Sequence, residues 1–180
     1  MVTPSPLPTL VVVMGVAGSG KTTIGRLLAS TLGWAFADGD DFHGPTSIAK
    51  MASGVPLSDA DRIPWLDRIG SWMDEQRSAG HSAVVACSAL KRAYRDRLRA
   101  GRPSVQLVYL DGDRAIIERH LTQRQGHFFR AQMLASQFAD LEVPQSDESP
   151  ISVSVRGDST PKGVVSEIVS RLGASARIPR

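Results

Sequence analysis

The chain has 180 residues, which is enough for one domain with a sizeable buried core. Hydrophobic residues make up 42% and charged residues 22%, the proportions of a globular protein, and no apolar run approaches the roughly 20 residues that span a bilayer. The net charge of +3, without a long basic run, argues against a nucleic-acid partner. The single cysteine, Cys87, rules out an intrachain disulfide and suits a reducing cytoplasm.

The elements predicted along the chain alternate between strand and helix. Short apolar runs, typical of strands buried on both faces, predict strands at 10–14, 34–38, 82–90, 105–111 and 151–155. Between and after them, apolar residues recur at helical spacing. This alternation predicts an α/β fold with a parallel sheet covered by helices on both sides. Ligands of such sheets bind beyond the carboxyl ends of the strands, where the ends of the first, second, third and fifth strands should meet.

One domain is predicted over residues 10–173, between a disordered lead-in over 1–9 and a flexible tail over 174–180. A helical insert over about 43–80 follows the second strand. Within it, Ser58 and Asp61 have the spacing of a capping box, so that Pro64 is expected in the first turn of a helix or at its start. Further helices are predicted at about 91–100, 113–124 and 130–140.

The most specific motif is GVAGSGKT, residues 15–22, which matches the phosphate-binding pattern G-x-x-x-x-G-K-[ST]. It follows a predicted buried strand and opens a predicted helix, as this pattern requires. Its glycines let backbone N–H groups turn toward phosphates, while Lys21 can reach the β- and γ-phosphates and Thr22 offers a hydroxyl to Mg²⁺. The motif predicts ATP binding by Gly15, Val16, Ala17, Gly18, Ser19, Gly20, Lys21, Thr22 and Thr23. A glycine-rich turn without a ligand is the alternative.

A second polar motif, DGDDFH at residues 38–43, ends the predicted second strand. Three carboxylates this close repel one another unless a cation or hydrogen-bond donors lie nearby. We therefore predict that Asp38 holds the metal through water and that Asp40 points at a substrate hydroxyl. Asp41 is expected to be solvated or to cap the following helix.

The apolar run VQLVYLD ends in Asp111, which is where P-loop proteins usually carry their metal-binding aspartate. In nucleotide kinases of this architecture, the metal-side acid instead lies on the third strand, and here that strand reads VVACSA. We interpret Asp111 or Asp113 as the N-cap of a helix that begins at Arg114. This interpretation leaves Asp38 as the candidate metal-side carboxylate.

Together these motifs resemble the gluconate kinases, which are small P-loop kinases of the nucleoside-monophosphate-kinase type and are related to shikimate kinase. The resemblance covers about residues 10–172 and includes MGVAGSGKT, DGDDFH, KMASGVPLSDADRIPWL, CSALKRAYRDRLR and RQGHFFRAQMLASQFADLE. It implies a five-stranded parallel sheet in the order 2-3-1-4-5 with a small lid. It also implies ATP- and Mg²⁺-dependent phosphorylation of D-gluconate on its 6-hydroxyl, giving 6-phospho-D-gluconate, in an enzyme that is often a homodimer.

Gluconate is a polyol with a carboxylate, so its site needs cations, polar groups and a base. Asp40 is predicted to orient the 6-hydroxyl and accept its proton, and the planar fork of Arg62 suits the carboxylate. Lys91 and Arg95 lie one helical turn apart and so share a face. The candidate substrate-binding residues are Asp40, His43, Arg62, Lys91, Arg95 and His127. As alternatives, Arg62 pairs with Asp59 or Asp61 at the surface, and His43 is a structural histidine.

The lid implied by the resemblance spans about residues 122–132. In related kinases a lid arginine contacts the transferring phosphate, and Arg124 fits that pattern as a catalytic and ATP-binding residue. Gly126 would be a hinge, and Phe128 and Phe129 would exclude water. This chain has His120 where the family pattern has an arginine near the adenine.

Two other functions compete with gluconate phosphorylation. A shikimate or nucleotide kinase shares the phosphate loop and paired aspartates, although shikimate kinases lack the KMASGVPLSDADRIPWL insert in this form. A nucleotide-binding regulator without catalysis is the second alternative, and the intact set of Lys21, Thr22, Asp38, Asp40 and Arg124 argues against it.

Overall fold

The computed structural model describes the backbone of residues 7–122 and 127–175, and the side chains within 7–119 and 134–173. Among these residues, five parallel strands form one sheet: β1 (Leu10–Met14), β2 (Ala35–Asp38), β3 (Ala83–Ala86), β4 (Val105–Gly112) and β5 (Ile151–Val155). Their order is β2-β3-β1-β4-β5, with every neighbouring pair parallel. The predicted fold class and strand order are confirmed.

Helices cover both faces of this sheet. In chain order they are α1 (Lys21–Leu32), α2 (Pro45–Ala52), α3 (Asp59–Ser78), α4 (Arg92–Arg99), α5 (Arg114–Thr122), α6 (His127–Asp140) and α7 (Pro161–Ser175). Leu10, Val12 and Met14 of β1 face a core formed with α3 and α4, while Val11 and Val13 face a core formed with α1 and α7. Because side chains alternate along a strand, the central strand must be apolar throughout, and all five of its residues are buried.

The long helix α3 begins as predicted, because Ser58 and Asp61 form a reciprocal capping box. The position expected for Pro64 is wrong, since this proline lies in the second turn of a helix that starts at Asp59. Proline there removes the hydrogen bond that residue 64 would donate to Ala60. Both residues are exposed, so the loss falls on the solvent side of the helix, while Trp65, Leu66, Ile69 and Met73 are buried on its other side.

Other boundaries differ by a few residues from the sequence predictions. β3 ends at Ala86, short of the predicted residue 90, and the chain then leaves the sheet through Ala89, whose φ is +43°. Within the predicted lead-in, Thr9 already donates to Ser82 and accepts from Ala83 beside β3. None of the helices in the described part of the chain combines the length and apolarity needed to cross a membrane.

Candidate active site

The loop between β1 and α1 has the curved backbone expected of a phosphate cradle. Gly15, Gly18 and Gly20 have φ angles of +147°, +79° and +94°. At Gly15, an added Cβ would lie 2.8 Å from Oγ of Ser19 and 3.0 Å from the carbonyl oxygen of Leu110, so any other residue would strain the loop or displace Ser19. The loop residues Ala17, Gly18, Ser19 and Gly20 line a cavity of about 1210 Å³, together with the first turn of α1, including Thr23.

Two of the residues predicted to bind ATP, Gly15 and Val16, are not among those that line this cavity. Val16 is buried behind the loop in a small core with Leu90, Ile117 and Leu134. Its carbonyl oxygen accepts a 2.9 Å hydrogen bond from Nζ of Lys21. Gly15 and Val16 therefore support the loop from behind.

Lys21 faces the cavity from the first residue of α1. Burial lowers the pKa of its ammonium group, and the nearby Asp40, Cys87 and Asp38 oppose this shift. Beside it, Oγ of Ser19 is buried and has no hydrogen-bond partner within the described residues. A buried lysine and an unpaired hydroxyl in a loop of this shape are suited to an anionic ligand, which would supply the missing acceptors.

Asp38 and Thr22 meet where the carboxyl end of β2 approaches α1. Oγ1 of Thr22 donates a 2.8 Å hydrogen bond to Oδ2 of Asp38, and Oδ1 of Asp38 accepts the amide of Asp40 at 3.1 Å. The chain passes close to β3 here, since a Cβ on Gly39 would lie 2.5 Å from the carbonyl oxygen of Ala86. The glycine within DGDDFH thus lets the acidic loop lie against β3.

The oxygens of Thr22 and Asp38 fit the chemistry of Mg²⁺, which prefers hard oxygen ligands. Within the described residues, no group of three or more histidine, cysteine or acidic side chains could hold a metal. At a nucleotide site Mg²⁺ takes one or two protein groups and its remaining ligands from phosphates and water, so Thr22 and Asp38 would be enough to hold it.

Asp113, and not Asp111, caps the helix after β4. Its Oδ1 accepts a 2.8 Å hydrogen bond from the amide of Ala115 at the start of α5. Asp111 is exposed, is not among the cavity-lining residues and accepts a long hydrogen bond from Tyr109. The structure therefore agrees with the capping interpretation and brings Asp38, not Asp111, to the phosphate loop.

Asp40 and His43 lie on the wall of the same cavity. The side chain of Asp40 is 90% exposed, while that of His43 is 7% exposed and stacks on Trp65 with ring centroids 4.6 Å apart. Burial lowers the pKa of His43. The positive charges of Arg62 and Arg68 lower this pKa further, while the negative charge of Asp40 raises it. Nδ1 of His43 is buried without a partner among the described residues.

Neither Asp40 nor Asp41 caps α2, since Gly44 occupies the N-cap position and Pro45 follows it. The capping role within DGDDFH belongs to Asp38, which accepts the Asp40 amide at the start of a short 3-10 helix over Gly39–Phe42. Asp41 is exposed and does not line the cavity. The expectation of a solvated Asp41 is confirmed.

Trp65 connects the helical insert to the acidic loop. Its Nε1 donates a 2.6 Å hydrogen bond to the carbonyl oxygen of Gly39, and its ring forms part of the cavity wall. Its helical spacing in the sequence indicates only a core role for this residue. The spacing identifies the buried face of α3, but not that this face extends into the cavity.

Arg62 lines the cavity from the first turns of α3. Its Nη1 donates a 3.0 Å hydrogen bond to the hydroxyl of Tyr94 and lies 3.9 Å from Oδ2 of Asp140. The pairing with Asp59 or Asp61 considered from the sequence is not what the structure shows, because Asp61 accepts from Lys50 at 2.7 Å. Arg62 is half-buried and therefore partly available to an anion.

Lys91 lies beside this cluster but is not among the cavity-lining residues. Its Nζ donates to both carboxylate oxygens of Asp59, at 2.9 and 3.1 Å, and Asp59 also accepts from the hydroxyl of Tyr94. The pKa of Lys91 is raised by its bonds to Asp59. The structure thus places Lys91 at the rim, where Asp59 and Tyr94 link it to Arg62.

Arg95 is not available to a substrate in this structure, so the role predicted from its spacing to Lys91 is not supported. It is 1% exposed, and its guanidinium donates to both carboxylate oxygens of Glu148, at 2.6 and 2.9 Å. Its third nitrogen donates to the carbonyl oxygens of Ala89 and Leu90. Burial raises the pKa of Glu148, but the bonds from Arg95 and the amide of Gln145 more than offset this and hold it below its ordinary value.

Arg124 and Gly126 lie outside the described residues, as do the side chains of His120, His127, Phe128 and Phe129. The backbone of residues 127–132, part of the predicted lid, forms the start of α6. Further along this helix, Ser136, Gln137 and Asp140 line the cavity. None of the three was predicted from the sequence, although polar residues at spacings of three and four on one face of a helix are a usable signal.

The far end of the cavity is formed by Val155, Ser159, Pro161 and Val164, where β5 leads into α7. We predicted that the end of β5 would join the site, and it does. Cys87, at the end of β3, is buried, and burial raises the pKa of its thiol to about 12. This environment is that of a core residue and not of a catalytic nucleophile.

Comparison with known proteins supports a kinase lineage. A family model described as shikimate kinase matches residues 17–173. A gluconokinase of Gluconobacter oxydans is 46% identical over 93% of this chain and 93% of its own length, and the thermoresistant gluconokinase of Escherichia coli is 44% identical over 88% and 90%. The crystal structure of a gluconokinase from Sinorhizobium meliloti is 37% identical, covers 96% of both chains and superposes with a TM-score of 0.83.

The match to the family model, over residues 17–173, spans every residue that lines the cavity. The chain belongs to the gluconokinase family of small P-loop kinases.

Proposed function

We propose that the protein transfers the γ-phosphoryl group of ATP to the 6-hydroxyl of D-gluconate, releasing ADP and 6-phospho-D-gluconate. The observation that carries this proposal is one cavity that runs from the phosphate loop to a polar wall containing Asp40, His43 and Arg62. Its volume of about 1210 Å³ exceeds the several hundred Å³ of an ordinary single-ligand pocket. The nucleotide and the sugar acid can therefore lie end to end.

ATP is assigned to the half of the cavity bounded by α1 and β5. Amides of residues 18–20, the N-terminus of α1 and Lys21 would bind the phosphates, while the amide of Ala17 donates to Gln137. Ser159 and the apolar residues Val155, Pro161 and Val164 would face the base. We also propose that Arg124 binds a phosphate, because its position in the sequence matches that of the lid arginine in related kinases.

Mg²⁺ would be held by the hydroxyl of Thr22 and, through water, by Asp38, whose side chains already lie within hydrogen-bond distance. When bound, the ion neutralises charge on the β- and γ-phosphates. The hydrogen bond between Thr22 and Asp38 holds both side chains beside the phosphate loop. It thus prepares the site before the metal binds.

Gluconate is assigned to the half of the cavity between the acidic loop and α3. The guanidinium of Arg62 can bind its carboxylate, while its hydrogen bond to the Tyr94 hydroxyl holds the arginine in place. The unpaired Nδ1 of His43 is suited to a sugar hydroxyl. Lys91 and His127 remain proposed contacts, with Lys91 acting from the rim.

In the proposed reaction, the oxygen of the 6-hydroxyl forms a bond to the γ-phosphorus, and the bond between that phosphorus and the β–γ bridging oxygen breaks. The proton of the hydroxyl passes to the carboxylate of Asp40, which is exposed to the cavity and 4.0 Å from Nε2 of His43. Lys21 stabilises the negative charge on the phosphates. Such reactions depend mainly on positioning and charge neutralisation.

A coupled assay of ADP release with gluconate, shikimate and AMP as separate acceptors tests this function. We expect turnover with gluconate well above that with the other two. Stimulation by shikimate would favour the activity named by the matching family model. If no acceptor stimulates ADP release but ATP still binds, the protein is a nucleotide-binding regulator instead.

A homodimer and a cytoplasmic location belong to the same proposal. The family resemblance supports the homodimer. The free thiol of the buried Cys87 supports a cytoplasmic location, because the cytoplasm keeps thiols reduced. Light scattering on the purified chain tests the oligomeric state, since a monomer has a mass of 19.3 kDa.

A further inference from the structure

The side chain of Gln137 contacts the phosphate loop directly. Its Oε1 accepts a 2.5 Å hydrogen bond from the backbone amide of Ala17, a residue 120 positions earlier in the chain. Both residues line the cavity. In loops of this kind the backbone amides bind phosphate oxygens, so Gln137 lies at the position where a phosphate must approach.

The chemistry of a carboxamide makes this contact informative. Glutamine carries an acceptor oxygen and an NH₂ group with two donors. With the oxygen used by Ala17, the donors remain for another group, and no acceptor for them is found in the part of the chain that the structure describes. A phosphate oxygen is a strong acceptor for such donors.

Packing fixes α6 at this distance from the loop. Leu134 and Phe138, on either side of Gln137, pack into the small core that also contains Val16 of the phosphate loop. At the end of the helix, the amide of Glu142 donates to the carbonyl oxygen of Leu90 at 3.0 Å, and its side chain accepts from the amide of Arg92 at 2.6 Å. The position of Gln137 is therefore determined from both sides.

The same helix reaches the proposed acceptor half of the cavity. Asp140 lies one turn after Gln137, and its Oδ2 is 3.9 Å from Nη1 of Arg62. Gln137 thus lies between the loop that binds the phosphates and the arginine assigned to the sugar acid. The terminal phosphate of ATP, which is the group that must meet the acceptor, belongs at this junction.

We propose that Gln137 is a positioning residue for the transferred phosphoryl group. Its Oε1 holds the amide of Ala17, and its Nε2 donates to an oxygen of the terminal phosphate of ATP. This inference rests on the proposed kinase function, because only a nucleoside triphosphate places a phosphate at that point. ADP, which lacks the group, makes no such contact.

The test compares nucleotide affinities and steady-state kinetics in Gln137→Ala and Gln137→Glu. We expect Gln137→Ala to weaken binding of a non-hydrolysable ATP analogue and to lower kcat/KM for ATP, each by roughly 10- to 100-fold, as for a hydrogen bond to a charged group. The Kd for ADP should change less than about threefold. Gln137→Glu keeps an acceptor for Ala17 but adds negative charge, so it should be worse than alanine.

Gln76→Ala is the matched control, because Gln76 lies on α3 and does not line the cavity. Equal weakening of ADP and the ATP analogue would show that Gln137 only supports the loop, and wild-type activity in Gln137→Glu would exclude the donor role. If Gln137→Ala does not fold, Gln137→Met preserves the side-chain length for the same measurements. The two affinities need no acceptor, so they remain decisive even if the wild-type protein does not phosphorylate gluconate.

Discussion

The hydroxyl of Thr22 donates a 2.8 Å hydrogen bond to Oδ2 of Asp38, joining the first turn of α1 to the carboxyl end of β2. The two residues are 16 positions apart and belong to separate motifs. β3 lies between β1 and β2 in the sheet, and the acidic loop reaches the phosphate loop by passing across the end of β3 at Gly39. This contact makes the two motifs one site.

Asp38→Asn should weaken the use of Mg²⁺. An outer ligand that acts through water typically contributes 10- to 100-fold to metal affinity or activity, so we expect the half-saturating Mg²⁺ concentration to rise by at least about tenfold. Titration of activity with Mg²⁺ at saturating ATP measures this effect. Asp41→Asn, at an exposed position outside the cavity, is the control. Identical Mg²⁺ curves for Asp38→Asn and wild type would remove Asp38 from the metal site.

Asp40→Asn should reduce kcat by about 10² to 10⁴, the range for loss of a general base, while leaving the KM for ATP close to wild type. The side chain is 90% exposed, so the fold should tolerate the change. Steady-state kinetics with both substrates varied provide the measurement, and an unchanged thermal unfolding temperature confirms the fold. Turnover near the wild-type value would show that another group accepts the proton.

Arg62→Ala should raise the KM for gluconate by roughly 10- to 100-fold, because a charge-assisted hydrogen bond to the carboxylate is lost. Arg62→Lys should recover only part of this, since a lysine cannot form the bidentate pair. Glucitol, the uncharged polyol related to gluconate, tests whether Arg62 contacts the carboxylate. Wild type and Arg62→Ala should turn over glucitol equally weakly, whereas a general loss of activity would lower glucitol turnover in the variant as well. Arg171→Ala, on α7, is the control; equal effects in the two variants would contradict the assignment.

Arg95→Ala should reduce the free energy of unfolding by about 3–5 kcal/mol, because it leaves Glu148 buried without its partner. Urea denaturation followed by tryptophan fluorescence measures this loss. The double variant Arg95→Met, Glu148→Leu should lose much less, since it removes both charges and keeps apolar volume. A stable Arg95→Ala protein with a raised KM for gluconate would restore the binding role predicted from the sequence.

His43 should make the folded protein less stable below about pH 6.5, the ordinary pKa of histidine. Burial lowers the pKa of His43 in the folded state, so over the window between the two values the unfolded chain binds more protons. Stability then falls as the pH drops through this window. Thermal unfolding between pH 7.5 and 5.5 should show a shallower decline in His43→Gln than in wild type. His81→Gln, at an exposed position, should keep the wild-type slope.

Much of the fold could be predicted because it depends on local patterns. Apolar runs located all five strands, and the capping box at Ser58 placed the start of α3 correctly. The strand order followed from the family resemblance. Pro64 was misplaced because the rule for proline considers the helix alone, whereas α3 is held by its buried face and tolerates one missing hydrogen bond on the exposed side.

The sequence by itself determined the site wherever function depends on the backbone and on a short spacing. The glycines of the phosphate loop, Lys21, Thr22 and the DGDDFH loop belong to this group, because the turn that they form is a local property of those residues. For Asp38, parallel strands carry their ends to one edge of the sheet, so position along the chain was enough to bring it near the phosphates.

The tertiary structure alone decided what Lys91, at the N-cap of α4, and the polar residues of α4 and α6 do. Lys91 and Arg95 share a helical face, yet Asp59 holds the first at the rim and Glu148, 53 residues further along, buries the second. Gln137 meets Ala17 only because α6 packs against the core behind the loop. A buried charge or amide must find a partner, and long-range packing determines which partner is within reach.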